Sequence, residues 1–155
     1  MKHIVKSTFP IGAFLIALGI CAASASARTV SPFAASKPYN SADSACFSEW
    51  YGAIINNCSG NARAIQIAIP VDTSGGVWGY ATAYGATAAN NVGCQTFGID
   101  QYITSVWASP VVYLSTFGSP SSIGMGGAYV PDLGPAFMAC WLNQGGQLRT
   151  VSWGQ

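Results

Sequence analysis

Apolar residues alternate with small or polar ones along most of this chain, and this period of two limits the fold more than any other feature. Residues 64–70 show it most clearly, because Ile65, Ile67 and Ile69 would share one face of a strand. No stretch after the first 27 residues shows the 3.6-residue period of a helix. About eight short segments at near-even spacing therefore predict an all-β domain, either a sandwich or a barrel, and we favour an antiparallel β-sandwich.

Two segments near the C-terminus carry more specific predictions. Residues 136–142 are apolar on both faces, which is typical of a central strand. Residues 143–146 include two glycines and predict a hairpin loop leading to a last strand at 147–153. A loop of that length would place Cys140 opposite Arg149.

The first 27 residues are predicted to be a secretory signal peptide. Two lysines precede an apolar run at 11–20, and small residues ending in Ala25-Ser26-Ala27 follow it. The run is shorter than the roughly 20 residues of a membrane span. We expect cleavage after Ala27 and secretion to the periplasm or beyond the cell, with no membrane span left. An uncleaved anchor and a lipoprotein modified at Cys21 are the alternatives.

Cleavage would leave 128 residues, the size of one domain. Residues 28–44 contain two prolines and many small polar residues, which indicates a flexible or extended N-terminal lead-in. The sandwich domain is expected to occupy residues 45–155.

Four cysteines remain after the predicted cleavage, and an even number in an exported chain indicates disulfides. They are Cys46, Cys58, Cys94 and Cys140. All three connectivities are open, and we favour Cys46–Cys58 with Cys94–Cys140. A redox or metal site is the alternative, but there is no CxxC spacing and no histidine to complete a zinc site.

The mature chain would contain no histidine, because the single one is His3. Ser–His–Asp, Cys–His and His-ligated metal chemistry are therefore not expected, and no cofactor is predicted. Residues 28–155 carry only four basic and five acidic residues, a net charge of −1. Without a basic patch, nucleic acid is not an expected partner. A surface of such low charge favours association with a polysaccharide, a cell-surface polymer or other copies of the chain.

Several short motifs follow one another along the chain: Ile55-Asn56-Asn57, a strand ending in Ile69-Pro70-Val71, Cys94 and Cys140. Their order resembles that of small exported bacterial proteins with no assigned function. This chain departs from the pattern at Ile69, where a cysteine is common. The resemblance implies a secreted β domain and no particular activity.

One candidate ligand site is a row of aromatic residues on a single strand. In residues 77–86, Trp78, Tyr80 and Tyr84 would share one face with Thr82, while the opposite face carries small residues. Such a row can stack on successive sugar rings. The alternative is that these rings belong to the core. The other four tryptophans are expected in the core: Trp50, Trp107, Trp141 and Trp153.

Two further candidates involve carboxylates and amides. Glycoside hydrolysis can run on two carboxylates without histidine, and Glu49 could pair with Asp72, Asp100 or Asp132. Each aspartate, however, stands in a turn-like context where it would bond its own backbone. The amides of 56–57, 90–91 and 143–144 could contact sugar hydroxyls from loop ends, although such residues more often supply turn geometry.

These observations favour a secreted, non-enzymatic structural or surface-interaction domain, active in adhesion or assembly. The low charge, the missing histidine and strands without lysines to protect their edges support this interpretation. The first alternative is a carbohydrate-binding module that uses Trp78, Tyr80 and Tyr84. The second is a minimal carboxylate-based glycoside hydrolase.

Overall fold

Two antiparallel sheets, six strands each, pack face to face in the computed structural model, which describes residues 28–155. The predicted signal peptide, with the question of Cys21, lies outside the described residues. The strands are β1 (Arg28–Val30), β2 (Ser36–Pro38), β3 (Phe47–Trp50), β4 (Ala53–Asn56), β5 (Arg63–Ile69), β6 (Gly75–Tyr84), β7 (Val92–Ile99), β8 (Val106–Ala108), β9 (Val112–Tyr113), β10 (Ser121–Val130), β11 (Ala136–Leu142) and β12 (Gln147–Gly154). A short helix, α1 (Pro32–Ala35), and two 3₁₀ turns, Ser41–Cys46 and Ala88–Asn90, complete the described part. The all-β antiparallel sandwich is confirmed.

Strand order defines the two layers. Sheet A runs β10–β6–β12–β4–β3, with β1 also paired to β12. Sheet B runs β2–β5–β11–β7–β8, with β9 also paired to β7. The inward residues of both sheets form one core, and its fully enclosed apolar side chains include Ile65, Ile67, Val77, Ile123, Met138, Leu142, Leu148 and Val151. The alternation predicted for residues 64–70 is therefore confirmed, because Ile65, Ile67 and Ile69 are all buried.

Strand β11 is central, as predicted, but the predicted hairpin from β11 to β12 is wrong. The two strands lie in different sheets, and β11 pairs with β5 and β7 along its two edges. The loop 143–146 crosses between the sheets, where Gly145 N–H donates to Asn56 O at 2.7 Å. An all-apolar strand is most stable with a neighbour on each side, and sheet B supplies both. Cys140 consequently faces Cys94 rather than Arg149.

The strands β3 and β4 form a tight hairpin. Tyr51 and Gly52 both have positive φ, 49° and 81°, and connect β3 to β4. Two central residues of positive φ are typical of the two-residue turns whose twist suits antiparallel strands. The count of twelve strands exceeds the expected eight partly for this reason.

Two short strands lie within residues 28–44, for which the composition indicates a flexible or extended lead-in. Strand β1 pairs with β12 in sheet A, whereas β2 pairs with β5 in sheet B. Between them, Pro32 is buried and the Ser31 hydroxyl donates to Gly52 O at 2.7 Å. These contacts fix the segment across the end of the sandwich.

Most sheet edges are short, which differs from the expectation of unprotected edges. Strands β2 and β8 have three residues each and β3 has four. Strand β2 also carries Lys37 and Pro38, both of which discourage pairing with another strand. The long edge strand β10 is interrupted by a bulge between Met125 and Ala128.

Both favoured disulfides are confirmed. Cys46–Cys58 joins the end of the first 3₁₀ turn to the segment after β4, across 12 residues of sequence. Cys94–Cys140 joins directly opposed residues of β7 and β11, across 46 residues. The second bridge is fully buried in the core.

Candidate functional site

The aromatic residues of β6 lie on the outer face of sheet A. Val77, Ala81 and Ala83 alternate with them and are buried between the sheets. Tyr80 is 50% exposed, and Trp78 and Tyr84 are partly exposed. These three rings are therefore not part of the core. We call Trp78, Tyr80 and Tyr84 the aromatic face.

Glycines on the neighbouring strands allow two of these rings to lie close to the sheet. Gly154 on β12 is opposite Trp78, and an added Cβ there would overlap the indole ring. Gly124 on β10 is opposite Tyr80, where a Cβ would lie 3.2 Å from the phenol ring. The two rings contact each other edge to face, with centroids 5.5 Å apart. Neighbouring strands thus position both rings.

Hydroxyl side chains accompany the aromatic face. Ser122, Thr82 and Thr150 are aligned across β10, β6 and β12. Ser152 is the cross-strand partner of Tyr80. Directly paired residues share one face of a sheet, so rings and hydroxyls alternate on this surface. This combination offers both apolar stacking area and hydrogen-bonding groups.

Arg149 extends this surface toward β3. It lies at a bulge in β12, where the pairing with β6 shifts between Leu148 and Thr150. Its guanidinium carbon is 5.1 Å from the centroid of the Tyr84 ring and 5.6 Å from that of the Trp50 ring. We call Trp50, Tyr84 and Arg149 the arginine cluster. This cluster is not predictable from the residue pattern, because a bulge that redirects one side chain leaves no periodic signal.

The expectation that the remaining tryptophans form core is right for one of the four. Trp153 is 7% exposed and its indole N–H donates to Pro70 O at 3.1 Å. Trp50 is 50% exposed, Trp107 is 37% exposed and Trp141 is partly exposed. Trp50 and Trp141 point away from the partner sheet. Trp107 instead packs edge to face on Tyr129 of β10, with centroids 5.5 Å apart.

A concave surface with a volume of about 270 Å³ lies on the outer face of sheet B, and we call it the groove. Its lining is mostly apolar: Tyr39, Ala64, Gln66, Phe97, Ile99, Val106, Phe137, Ala139 and Trp141. Part of this lining is visible in the sequence, because residues 137, 139 and 141 are apolar and alternate with the core positions of the strand predicted to be central. The pairing of β11 with β5 and with β7 brings the lining residues together, for example Ala139 beside Gln66 and Phe137 beside Phe97.

Of the four candidate carboxylates, the structure brings Asp72 and Asp132 to one cavity. This cavity lies between the β5–β6 and β10–β11 turns, and Glu49 is not among its lining residues. Hydrogen bonding and charge from Arg28 lower the pKa of Asp72. Hydrogen bonds from Thr104 and then Ser105 lower the pKa of Asp100. The general acid of a glycosidase is a carboxyl whose pKa is raised. The pKa values of Asp72 and Asp100 are shifted in the opposite direction.

The three amide pairs meet at one end of the sandwich and bond mainly to backbone. The Asn56 amide donates to Leu142 O at 2.8 Å and accepts from Cys58 N–H at 3.0 Å. Asn90 donates to Gln144 O at 2.7 Å, and Asn143 donates to Ala89 O at 3.1 Å. These amides therefore hold the turns in place, as expected. The bonds between segments also connect the three turns to one another.

Residues 28–155 contain neither a cluster of potential metal ligands nor a helix that could span a membrane. No group of three or more His, Cys, Asp or Glu side chains gathers there in a way that could hold a metal ion. Over the same range, none of the helices has the length and apolar character needed to cross a membrane.

Comparison with known proteins gives a likeness of fold. No protein-family model matches the sequence, and no curated protein matches it significantly. One similar structure is the C-terminal CBM6 of LamC, a marine laminarinase from Zobellia galactanivorans, with a TM-score of 0.51, 10% identity, and coverage of 84% of this chain and 100% of that one. Another is the carbohydrate-binding module CBM6cm-2 from Cellvibrio mixtus lichenase 5A in complex with cellotriose. Its TM-score is 0.51 and its identity 9%, and the match covers 83% of this chain and 96% of that one.

A third similar structure is the Podospora anserina GH26-CBM35 β-(1,4)-mannanase, at a TM-score of 0.51 and 12% identity. The match covers 83% of this chain but only 28% of that longer one. At such low identity the likeness concerns the backbone arrangement alone. This chain therefore has a β-sandwich fold similar to the folds of these structures.

Proposed function

We propose that this protein is a non-catalytic carbohydrate-binding module whose binding surface is the aromatic face of sheet A. The observation that carries the proposal is the outward position of Trp78, Tyr80 and Tyr84 on one strand, with Tyr80 half exposed. Exposed aromatic rows of this kind are unusual on a soluble surface unless they meet a ligand.

The chemistry of this surface suits sugars. Aromatic rings offer an apolar face with negative π density, which the C–H groups of a pyranose can stack against. The side chains of Thr82, Thr150 and Ser152 stand beside the rings and can exchange hydrogen bonds with sugar hydroxyls. The groove on sheet B has little such polar lining, so it fits a sugar less well.

The similar structures support the same class of ligand. Two are carbohydrate-binding modules, one of them in complex with cellotriose, and the third comes from a mannanase that includes a CBM35. They also favour this interpretation over adhesion or assembly, which stays a prediction. The short edge strands, one of them with Lys37 and Pro38, weaken the case for edge-to-edge assembly.

The test is binding of the secreted protein to a panel of polysaccharides, by pull-down on insoluble polymers and affinity electrophoresis in soluble ones. The panel contains β-1,3-glucan, β-1,4-glucan, β-1,4-mannan and acidic polymers. We expect at least one polymer to bind. Tyr80→Ala should weaken that binding by about threefold to tenfold, because one stacking ring is lost.

Tyr102→Ala is the matched control, since Tyr102 is also exposed, at 75%, but lies in a turn after β7 of sheet B. It should leave binding unchanged. Trp141→Ala tests the groove, and loss of binding in that variant alone would place the site on sheet B. Failure to bind any polymer, together with concentration-dependent self-association, would contradict the proposal and favour assembly.

A further inference from the structure

Arg149 lies over two aromatic rings and has no acidic partner within residues 28–155. Among residues 28–155, Arg28 pairs with Asp72, and Arg63 pairs with Asp43 at 3.5 Å. Arg149 has no such ion pair there. Glu49, a carboxylate on β3 of the same sheet, accepts a hydrogen bond from Gly52 N–H at 3.1 Å instead.

The hydrogen-bonding capacity of Arg149 is almost unused. A guanidinium has five N–H donors. Within the described residues its only hydrogen bond is from Nη2 to Gln147 Oε1 at 3.4 Å, which is long for such a bond. Its Nε is enclosed and has no partner. Because Nε is enclosed, the terminal Nη groups are the donors that a ligand could reach.

The rings fix the orientation of this charge. The guanidinium carbon lies over both aromatic rings, 5.6 Å from the centroid of Trp50 and 5.1 Å from that of Tyr84. Stacking on aromatic rings restrains the long arginine side chain, so less entropy is lost when it binds a ligand. Bulges in strands commonly redirect a side chain toward a functional surface, and Arg149 lies at one.

From this geometry we infer that Arg149 binds the carboxylate of a uronic acid unit while the aromatic face stacks on a neighbouring sugar, an assignment that rests on the proposed function. Tyr84 belongs to both the aromatic face and the arginine cluster, so the two sites are continuous. A planar guanidinium matches a carboxylate through two parallel hydrogen bonds, and such charge-assisted bonds are about twice as strong as neutral ones. The ligand class is therefore an acidic polysaccharide.

The decisive experiment compares each acidic polymer with its own carboxyl-reduced form, which keeps the backbone and removes the charge. Suitable probes are polyglucuronate, polygalacturonate and alginate, measured by isothermal titration calorimetry at about 0.15 M salt. We expect at least one acid form to bind tenfold or more tightly than its reduced form. In Arg149→Met this affinity ratio should fall to near one.

Two further variants distinguish a specific contact from general charge attraction. Arg149→Lys keeps the charge without the planar fork, and it should lose most of the affinity ratio. Lys37→Met removes one positive charge from the edge strand β2 of sheet B and should leave the ratio unchanged. If Arg149 only stabilised the fold, its variants would lower the midpoint of thermal unfolding without changing the ratio.

The outcomes separate the two proposals. Equal binding of acid and reduced forms would overturn the role of Arg149 but leave the carbohydrate-binding function standing. A preference for sulfated over carboxylated polymers would also overturn the carboxylate assignment. No binding to any polymer would overturn both.

Discussion

Asn56 and Asn57 are adjacent in the sequence but differ completely in environment. Asn56 is fully buried, and its side chain connects β4 to Leu142 and to the backbone of Cys58. Asn57 is exposed, and its amide donates to the Ser48 hydroxyl at 2.8 Å. A buried polar group without a partner costs far more than an exposed one. The two positions therefore form a natural matched pair.

We expect Asn56→Ala to lower the free energy of unfolding by about 1–3 kcal/mol, because Leu142 O and Cys58 N–H would lose their partner inside the fold. Asn57→Ala should change it by less than about 0.5 kcal/mol, since water replaces the lost bond. Urea denaturation followed by tryptophan fluorescence measures both. Equal losses in the two variants would show that burial does not decide the effect.

At the scale of one element, the β3–β4 hairpin places a tyrosine where its backbone is unfavourable. Tyr51 has φ of 49° and its side chain is 93% exposed. Its ring packs edge to face with the ring of Trp50, with centroids 5.3 Å apart. Asparagine followed by glycine is the preferred pair for a turn with two positive φ values. Stability alone does not explain the tyrosine.

Tyr51→Asn should therefore raise the free energy of unfolding by about 0.5–1 kcal/mol. Tyr51→Val is the control, because a β-branched residue at positive φ is strained and should lower stability. Guanidinium denaturation of the three proteins gives the comparison. A loss of stability in Tyr51→Asn would mean that the contact with Trp50 outweighs the turn preference.

For the whole molecule, the two disulfides restrict the chain to different extents. Cys94–Cys140 closes 46 residues and joins two core strands, whereas Cys46–Cys58 closes 12. In the loop-entropy model these bridges contribute about 4 and about 3 kcal/mol respectively. Cys94 and Cys140 are also buried more completely than Cys46.

We expect the double variant Cys94→Ala/Cys140→Ala to be destabilised more than Cys46→Ala/Cys58→Ala, by about 1 kcal/mol or more. The removal of two buried sulfurs adds a packing loss to the entropy term. Thermal unfolding monitored by circular dichroism ranks the two variants. The opposite ranking would mean that the Cys46–Cys58 disulfide contributes more to the stability of the fold than the Cys94–Cys140 disulfide.

Much of this architecture follows from local sequence patterns. The period of two in residues 64–70 identified the buried face of β5, and the two-sided apolar character of residues 136–142 identified β11 as central. The same periodicity separated Trp78, Tyr80 and Tyr84 from the small residues of β6. Strand alternation is local, so one sequence is enough to reveal it.

Which face points outward, and what lies beside it, depends on contacts between distant segments. The loop 143–146 could have closed a hairpin, but backbone bonds to Asn56 lead the chain into the other sheet. Arg149 meets Trp50 and Tyr84 because β12 is bulged and lies between β4 and β6. Local residue patterns are enough to set the strand type and the faces of single strands, because these depend on neighbours along the chain. The pairing of the strands, and with it the composition of the candidate site, is established only in the folded chain, because pairing depends on hydrogen bonds between residues far apart in sequence.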